Sequence, residues 1–126
     1  MPDNFKEIFT ILKELLAPYE GHLAVKTDTP EEYWLVTRGP SPFPQHKGHP
    51  LDVTWIRTGK AYVSFHLMPI YMKPELTKAM SPALKKRMQG KTCFNFTSRP
   101  DAEMLEELSR LTWASLSAWT VPARSS

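Results

Sequence analysis

Two stretches of the chain carry side chains that could share chemistry. Tyr62, Ser64 and His66 alternate with Val63, Phe65 and Leu67, and Cys93 and Asn95 alternate with Phe94 and Phe96. A two-residue period is that of a strand with one face buried. If the two strands are neighbours, phenol, hydroxyl, imidazole, thiol and amide converge on the face opposite the core. Polar groups gathered in an apolar frame are what small-ligand sites are made of, and Trp34 or Trp55 would supply apolar walls. The expectation is therefore a surface of Tyr62, Ser64, His66, Cys93 and Asn95 that binds a small molecule or a partner. The plainer alternative is the solvated side of an antiparallel sheet.

A sharper chemistry would use Cys93 as nucleophile and His66 as base, because a thiolate at neutral pH needs an imidazole or a cation beside it. Lys91, two residues from Cys93, falls on the same face. One cysteine and one histidine with no surrounding signature are a thin basis, and a strand cysteine usually behaves as a small hydrophobe. No catalytic residue is assigned, and a non-enzymatic domain is the first expectation.

His46 and His49 sit in a loop with Lys47. Two histidines three apart share a metal only if the backbone bends to suit and further ligands arrive, and the loop offers no cysteine or carboxylate close by. Neither a metal nor a cofactor is expected. Lys73, Lys78, Lys85, Lys86, Arg87 and Lys91 stand against Glu75 and could grip phosphates. Lys85 to Arg87 fall at a helix C-terminus, where cations offset the helix dipole, so a phosphate or nucleic-acid module is a third reading and nucleic acid is not the expected partner. No phosphate loop, dinucleotide fingerprint, zinc spacing, Ser-His-Asp signature or paired-carboxylate site is visible.

The elements that must position these groups can be read along the chain. Phe5, Ile8, Phe9, Ile11, Leu12, Leu15 and Leu16 form the stripe of an amphipathic helix over Phe5–Leu16, with Asn4 as N-cap and Glu7 as its reciprocal partner. Pro18 and Gly21 end it. Strands are expected near Leu23–Thr27 and Tyr33–Thr37, turning at Asp28-Thr29-Pro30. A proline-rich loop from Arg38 to Pro50 follows, long enough to act as a lid over a sheet edge. Leu51–Arg57 and Ala61–Met68 form a hairpin about Thr58-Gly59-Lys60. A short helix is expected over Pro74–Met80, and a second from Ser81, with Pro82 at its first position and Gly90 past its end. A strand over Thr92–Thr97 and a helix from Asp101 to Trp119 complete the chain. The last helix buries Met104, Leu105, Leu108, Leu111, Thr112, Leu116 and Trp119, and keeps Glu103, Glu106, Glu107 and Arg110 wet. The expected order is α-β-β-β-β-α-α-β-α: an α+β domain with an antiparallel sheet packed against N- and C-terminal helices.

Length and composition set the outer bounds. The 126 residues suit one domain, and 41% hydrophobic with 23% charged residues is the globular average rather than the composition of a disordered chain. No apolar run approaches the roughly 20 residues of a membrane span, and Asp3 and Glu7 break up the layout of a signal peptide. A lone cysteine gives no internal disulfide, so the cytoplasm is the expected location. A net charge of +3 is too mild to single out a partner. Of the four tryptophans, Trp113 falls off its helix's apolar stripe and is the candidate homodimer contact.

Three stretches carry a family resemblance: "GKAYVSFHLMPIY" (59–71), "SPALKKRMQGKTCFNF" (81–96) and "PDAEMLEEL" (100–108). Together they resemble the YdhG-like family of bacterial domains of unknown function, grouped loosely with YjbR- and frataxin-like (CyaY) proteins. The anchor is Gly90-Lys91 leading into the strand of Phe94 and Phe96 and then the final helix. The resemblance extends from Gly59 to Trp119, about half the chain, and implies an α+β fold. It brings no catalytic residues. The frataxin grouping would imply an acidic, metal-attracting helix, but here Lys6 and Lys13 share the first helix with Glu7 and Glu14.

Overall fold

The apolar stripe of the N-terminal segment forms helix α1 (Asp3–Leu16), whose Phe5, Ile8, Phe9, Leu12 and Leu16 are all buried. The computed structural model of the chain describes residues 3–38, 47, 49–78, 80–90 and 92–120. Asn4 lies inside α1 and does not cap it. Its Nδ2 donates to the Thr97 carbonyl at 3.0 Å, and Glu7 pairs with Arg99 at 3.1 Å. Both tie the first helix to the segment after the last strand.

A single 3-10 turn (Ala17–Gly21) brings the chain to β1 (Ala24–Asp28), followed by β2 (Glu32–Val36), β3 (Asp52–Thr58) and β4 (Val63–Leu67). These strands form an antiparallel meander. The excursion between β2 and β3 is clasped at its base: the Thr37 N–H donates to the Leu51 carbonyl at 3.0 Å, and the Leu51 N–H donates to the Thr37 hydroxyl at 2.9 Å. Residues 39–46 of the expected lid, with His46, lie outside the described residues.

After β4 come α2 (Pro69–Met72), a 3-10 turn (Pro74–Thr77) and α3 (Pro82–Lys85). The short helix expected over Pro74–Met80 is thus divided differently: a turn of helix starts earlier, at Pro69, and only the 3-10 turn falls within the expected span. Ser81 caps α3 as expected, its oxygen accepting from the Leu84 N–H at 3.2 Å. That helix stops at Lys85 and does not run to Gly90. Met88–Gln89 instead forms β5, which pairs with β6 (Cys93–Phe96). Gly90, at φ +82°, makes the turn between them, a backbone conformation that costs glycine nothing. Helix α4 (Ala102–Thr120) closes the chain, capped by Asp101, whose Oδ1 accepts from the Met104 N–H at 2.8 Å.

The sheet order is β1-β2-β3-β4-β6-β5, antiparallel throughout, and the helices pack on one of its faces. The α+β class therefore holds, with β5 added to the expected order. Val63, Phe65, Leu67, Phe94 and Phe96 are fully buried, as the alternation requires, and join Tyr33, Leu35, Ile56, Leu108 and Leu116 in one core. Phe65 and Phe94 face each other in register, their rings 6.4 Å apart and tilted by 53°, a favoured aromatic geometry. Glu107, expected on the wet face of α4, instead accepts from the Ser81 N–H and hydroxyl, each at 2.6 Å, and so locks α3 to α4. Trp113 is 61% exposed. The Trp119 side chain lies outside the described set. Among the described residues no helix is long and apolar enough to cross a membrane.

Candidate functional site

Because alternation buries Tyr33, Ile56, Phe65 and Phe94, it turns Trp34, Trp55, His66 and Cys93 to the opposite face. Register then puts them side by side: Trp34 opposite Trp55, Trp55 opposite His66, His66 opposite Cys93. The result is one row running across β2, β3, β4 and β6. Trp34 and Trp55 stack with ring centroids 4.5 Å apart and planes 4° from parallel. Trp55 and His66 stack at 4.6 Å and 15°. His66 Nε2 lies 3.5 Å from Cys93 Sγ, and Sγ lies 3.3 Å from Asn95 Oδ1.

The far end of the row is closed by charge. Lys26 Nζ sits 5.0 Å from the Trp34 ring centre and 3.4 Å from an Asp52 carboxylate oxygen. A bulge between Val25 and Thr27 shifts the β1 register there. A second row runs alongside: Glu32 pairs with Arg57 at 3.5 Å, Arg57 lies opposite Ser64, and Ser64 opposite Asn95. The Ser64 hydroxyl donates to the Arg57 carbonyl at 3.3 Å.

The five expected site residues thus separate. His66, Cys93 and Asn95 form one hydrogen-bonded cluster. Ser64 lies next to it in register but is buried and committed to backbone. Tyr62 falls in the turn before β4 and is exposed, and none of the contacts above reaches it. Lys91 and His46 lie outside the described residues. Trp34 and Trp55 are the first two members of the row, so the walls proposed from sequence form half of it.

Burial governs the electrostatics. It pushes the Cys93 thiol up from its ordinary range and the His66 imidazole down. Both shifts favour the neutral forms. The pair is then a thiol beside a neutral imidazole, the reverse of the thiolate–imidazolium that nucleophilic catalysis needs. With the sulfur proton given to Asn95 Oδ1, Sγ is left to accept from His66 Nε2–H, and both polar contacts are satisfied without charge.

One end of this face holds further apolar surface that the alternation pattern did not disclose. Val36 and Leu51 are buried yet stand apart from the main core. Leu51 and Trp55 line an open cleft of about 400 Å³ with Met68, Pro50 and Asp52. Lys47 and His49 complete its rim, so one of the two loop histidines does reach a concave site. Among the described residues no group of three or more histidine, cysteine, aspartate or glutamate side chains could hold a metal ion.

The basic segment contributes little to this face. Lys85 and Lys86 are exposed at the end of α3. Arg87 lies 5.7 Å from the Phe96 ring centre and 3.5 Å from the Ser98 hydroxyl. No family model, curated protein or solved structure matches the chain.

Proposed function

We propose that this is a small non-enzymatic binding domain that receives a small ligand on the open face of its sheet. The observation carrying this reading is the unbroken row Trp34–Trp55–His66–Cys93, with a concave, partly apolar cleft at Trp55. A merely solvated sheet face would carry separated polar side chains. Here two indoles, an imidazole and a thiol are packed against one another and half-buried on the side the helices leave uncovered. Preorganised rings lose little conformational entropy when a ligand arrives. We propose also that the chain is a divergent YdhG-like domain, on the strength of residues 59–71, 81–96 and 100–108.

Two other readings fare less well. The 3.5 Å separation of Cys93 and His66 meets the distance a nucleophile–base pair requires, but burial opposes its ionisation. Single-stranded nucleic acid binds by stacking bases on free aromatic faces. Trp34 has Lys26 over one face and Trp55 on the other, and Trp55 is held between Trp34 and His66. No indole face in the row is open to a base.

A metabolite screen by thermal shift tests the reading, since a ligand at 100 times its Kd stabilises a fold by roughly 2.7 kcal/mol. A stabilising compound should then move the indole N–H resonances of Trp34 and Trp55 and leave Trp113 still. Shifts centred on Trp113, or on the basic segment from Lys73 to Arg87, would overturn it.

A further inference from the structure

We propose that the Trp55 cleft selects a small apolar carboxylate: an aromatic or branched hydrocarbon body carrying one anionic group. This rests on the binding reading above and names its ligand class.

The body is set by the wall. Trp55, Met68, Leu51 and Pro50 offer an indole edge, a thioether, an isobutyl group and a pyrrolidine ring around about 400 Å³, near the small end of ligand cavities. A methionine beside an aromatic wall adapts to planar or branched shapes. The volume is ample for a single ring or a branched chain.

The anion is set by the rim. Lys47 reaches it from a left-handed backbone at φ +51°, a conformation uncommon for a residue other than glycine, and His49 adds a ring nitrogen beside it. Among the described residues Lys47 has no ion-pair partner. The opposing charge, Asp52, is already met by Lys26 at 3.4 Å. The cleft therefore holds one carboxylate, already engaged by Lys26, beside Lys47 and His49, which draw no such partner from it among the described residues. An incoming anion gains Lys47 as a charge-assisted partner, whereas an incoming ammonium would have to compete with Lys26 for Asp52.

The test compares three probes of one shape: phenylpropionate, phenylpropionamide and phenylpropylamine, titrated against the full chain by the Trp55 indole resonance. The carboxylate should bind roughly tenfold tighter than the amide, the worth of a stronger charge-assisted contact, and the amine weakest. Added salt should narrow the gap. Lys47→Ala, at an exposed position, should leave the fold intact and bring the carboxylate down to the amide's affinity. Equal binding of carboxylate and amide overturns the anion selectivity while the binding face stands. Preference for the amine overturns it in favour of Asp52. If none of the three moves Trp55, the cleft is no site and this inference falls, while shifts at Trp34 and His66 with other metabolites would still uphold the face.

Discussion

The imidazole of His66 stacks on the indole of Trp55, with centroids 4.6 Å apart and planes 15° from parallel. The contact joins a titratable group to an apolar platform. It explains why this histidine, in the middle of a strand, is half-buried and held neutral.

Stability should therefore depend on His66 in a definite pH window. Burial lowers its folded pKa below the ordinary 6.5, so the unfolded chain takes up the proton first as pH falls. The stabilisation from His66 is complete above about 6.5 and is lost on acidification through the lowered folded value. Melting temperature followed from pH 7.5 downward should decline in this window for the parent protein. His66→Gln should flatten that part of the curve. Identical slopes in the two proteins would show that His66 is not held neutral.

The Trp34–Trp55 stack should appear as a coupling energy. Parallel indoles 4.5 Å apart contribute about 0.5–1.5 kcal/mol beyond their buried area. A double-mutant cycle of Trp34→Leu and Trp55→Leu by urea unfolding should return a coupling in that range. A coupling near zero would mean that the rings are neighbours without energetic contact.

The sequence disclosed which face each strand residue takes, and much less about which residues meet. Alternation alone placed Val63, Phe65, Leu67, Phe94 and Phe96 in the core, because side-chain direction repeats every two residues. Neighbour relations depend on register, and register here passes through bulges between Val25 and Thr27 and between Leu35 and Val36. Each bulge inserts one unpaired residue, which no periodicity reveals. The row itself runs through regular register, but which strands lie side by side is a long-range outcome that periodicity does not carry, so Trp34 and Trp55 could be named as walls but not aligned with His66 and Cys93. β5 was illegible for another reason: two residues carry no period, and Met88–Gln89 is a strand only because β6 lies beside it. Asn4 and Glu107 show the same limit within helices. A capping pattern or a wet-face position is a local inference, and in both cases a distant partner, Thr97 or Ser81, claims the side chain.

Tyr33 should be the last tyrosine to ionise. Its ring is buried in the core, its hydroxyl donates to Glu20, and burial together with the Glu20 and Asp28 carboxylates raises its pKa well above the ordinary 10. A raised folded pKa means stability present below about 10 and lost as pH climbs beyond it. Ultraviolet titration should show one phenol withheld until the alkaline unfolding transition. Tyr33→Phe should remove that late step and cost about 0.5–1.5 kcal/mol, the net worth of one hydrogen bond.

Cys93 decides between a binding face and a covalent one, and its reactivity has a predicted sign. Burial raises the thiol pKa, and its polar neighbours, His66 Nε2 at 3.5 Å and Asn95 Oδ1 at 3.3 Å, are both satisfied by a neutral sulfur. At pH 7.5 a disulfide reagent should react with the native protein at least roughly tenfold more slowly than with the denatured chain, because only the thiolate attacks. His66→Ala should hasten that reaction, since removing the ring uncovers the sulfur and takes no base from it. In a nucleophile–base pair both signs would be reversed: the native thiol would outpace the denatured one, and loss of the imidazole would slow it. The two measurements together therefore separate a packed thiol from an activated one, even if His66→Ala loosens the fold, because a loosened fold can only move the rate toward the denatured value.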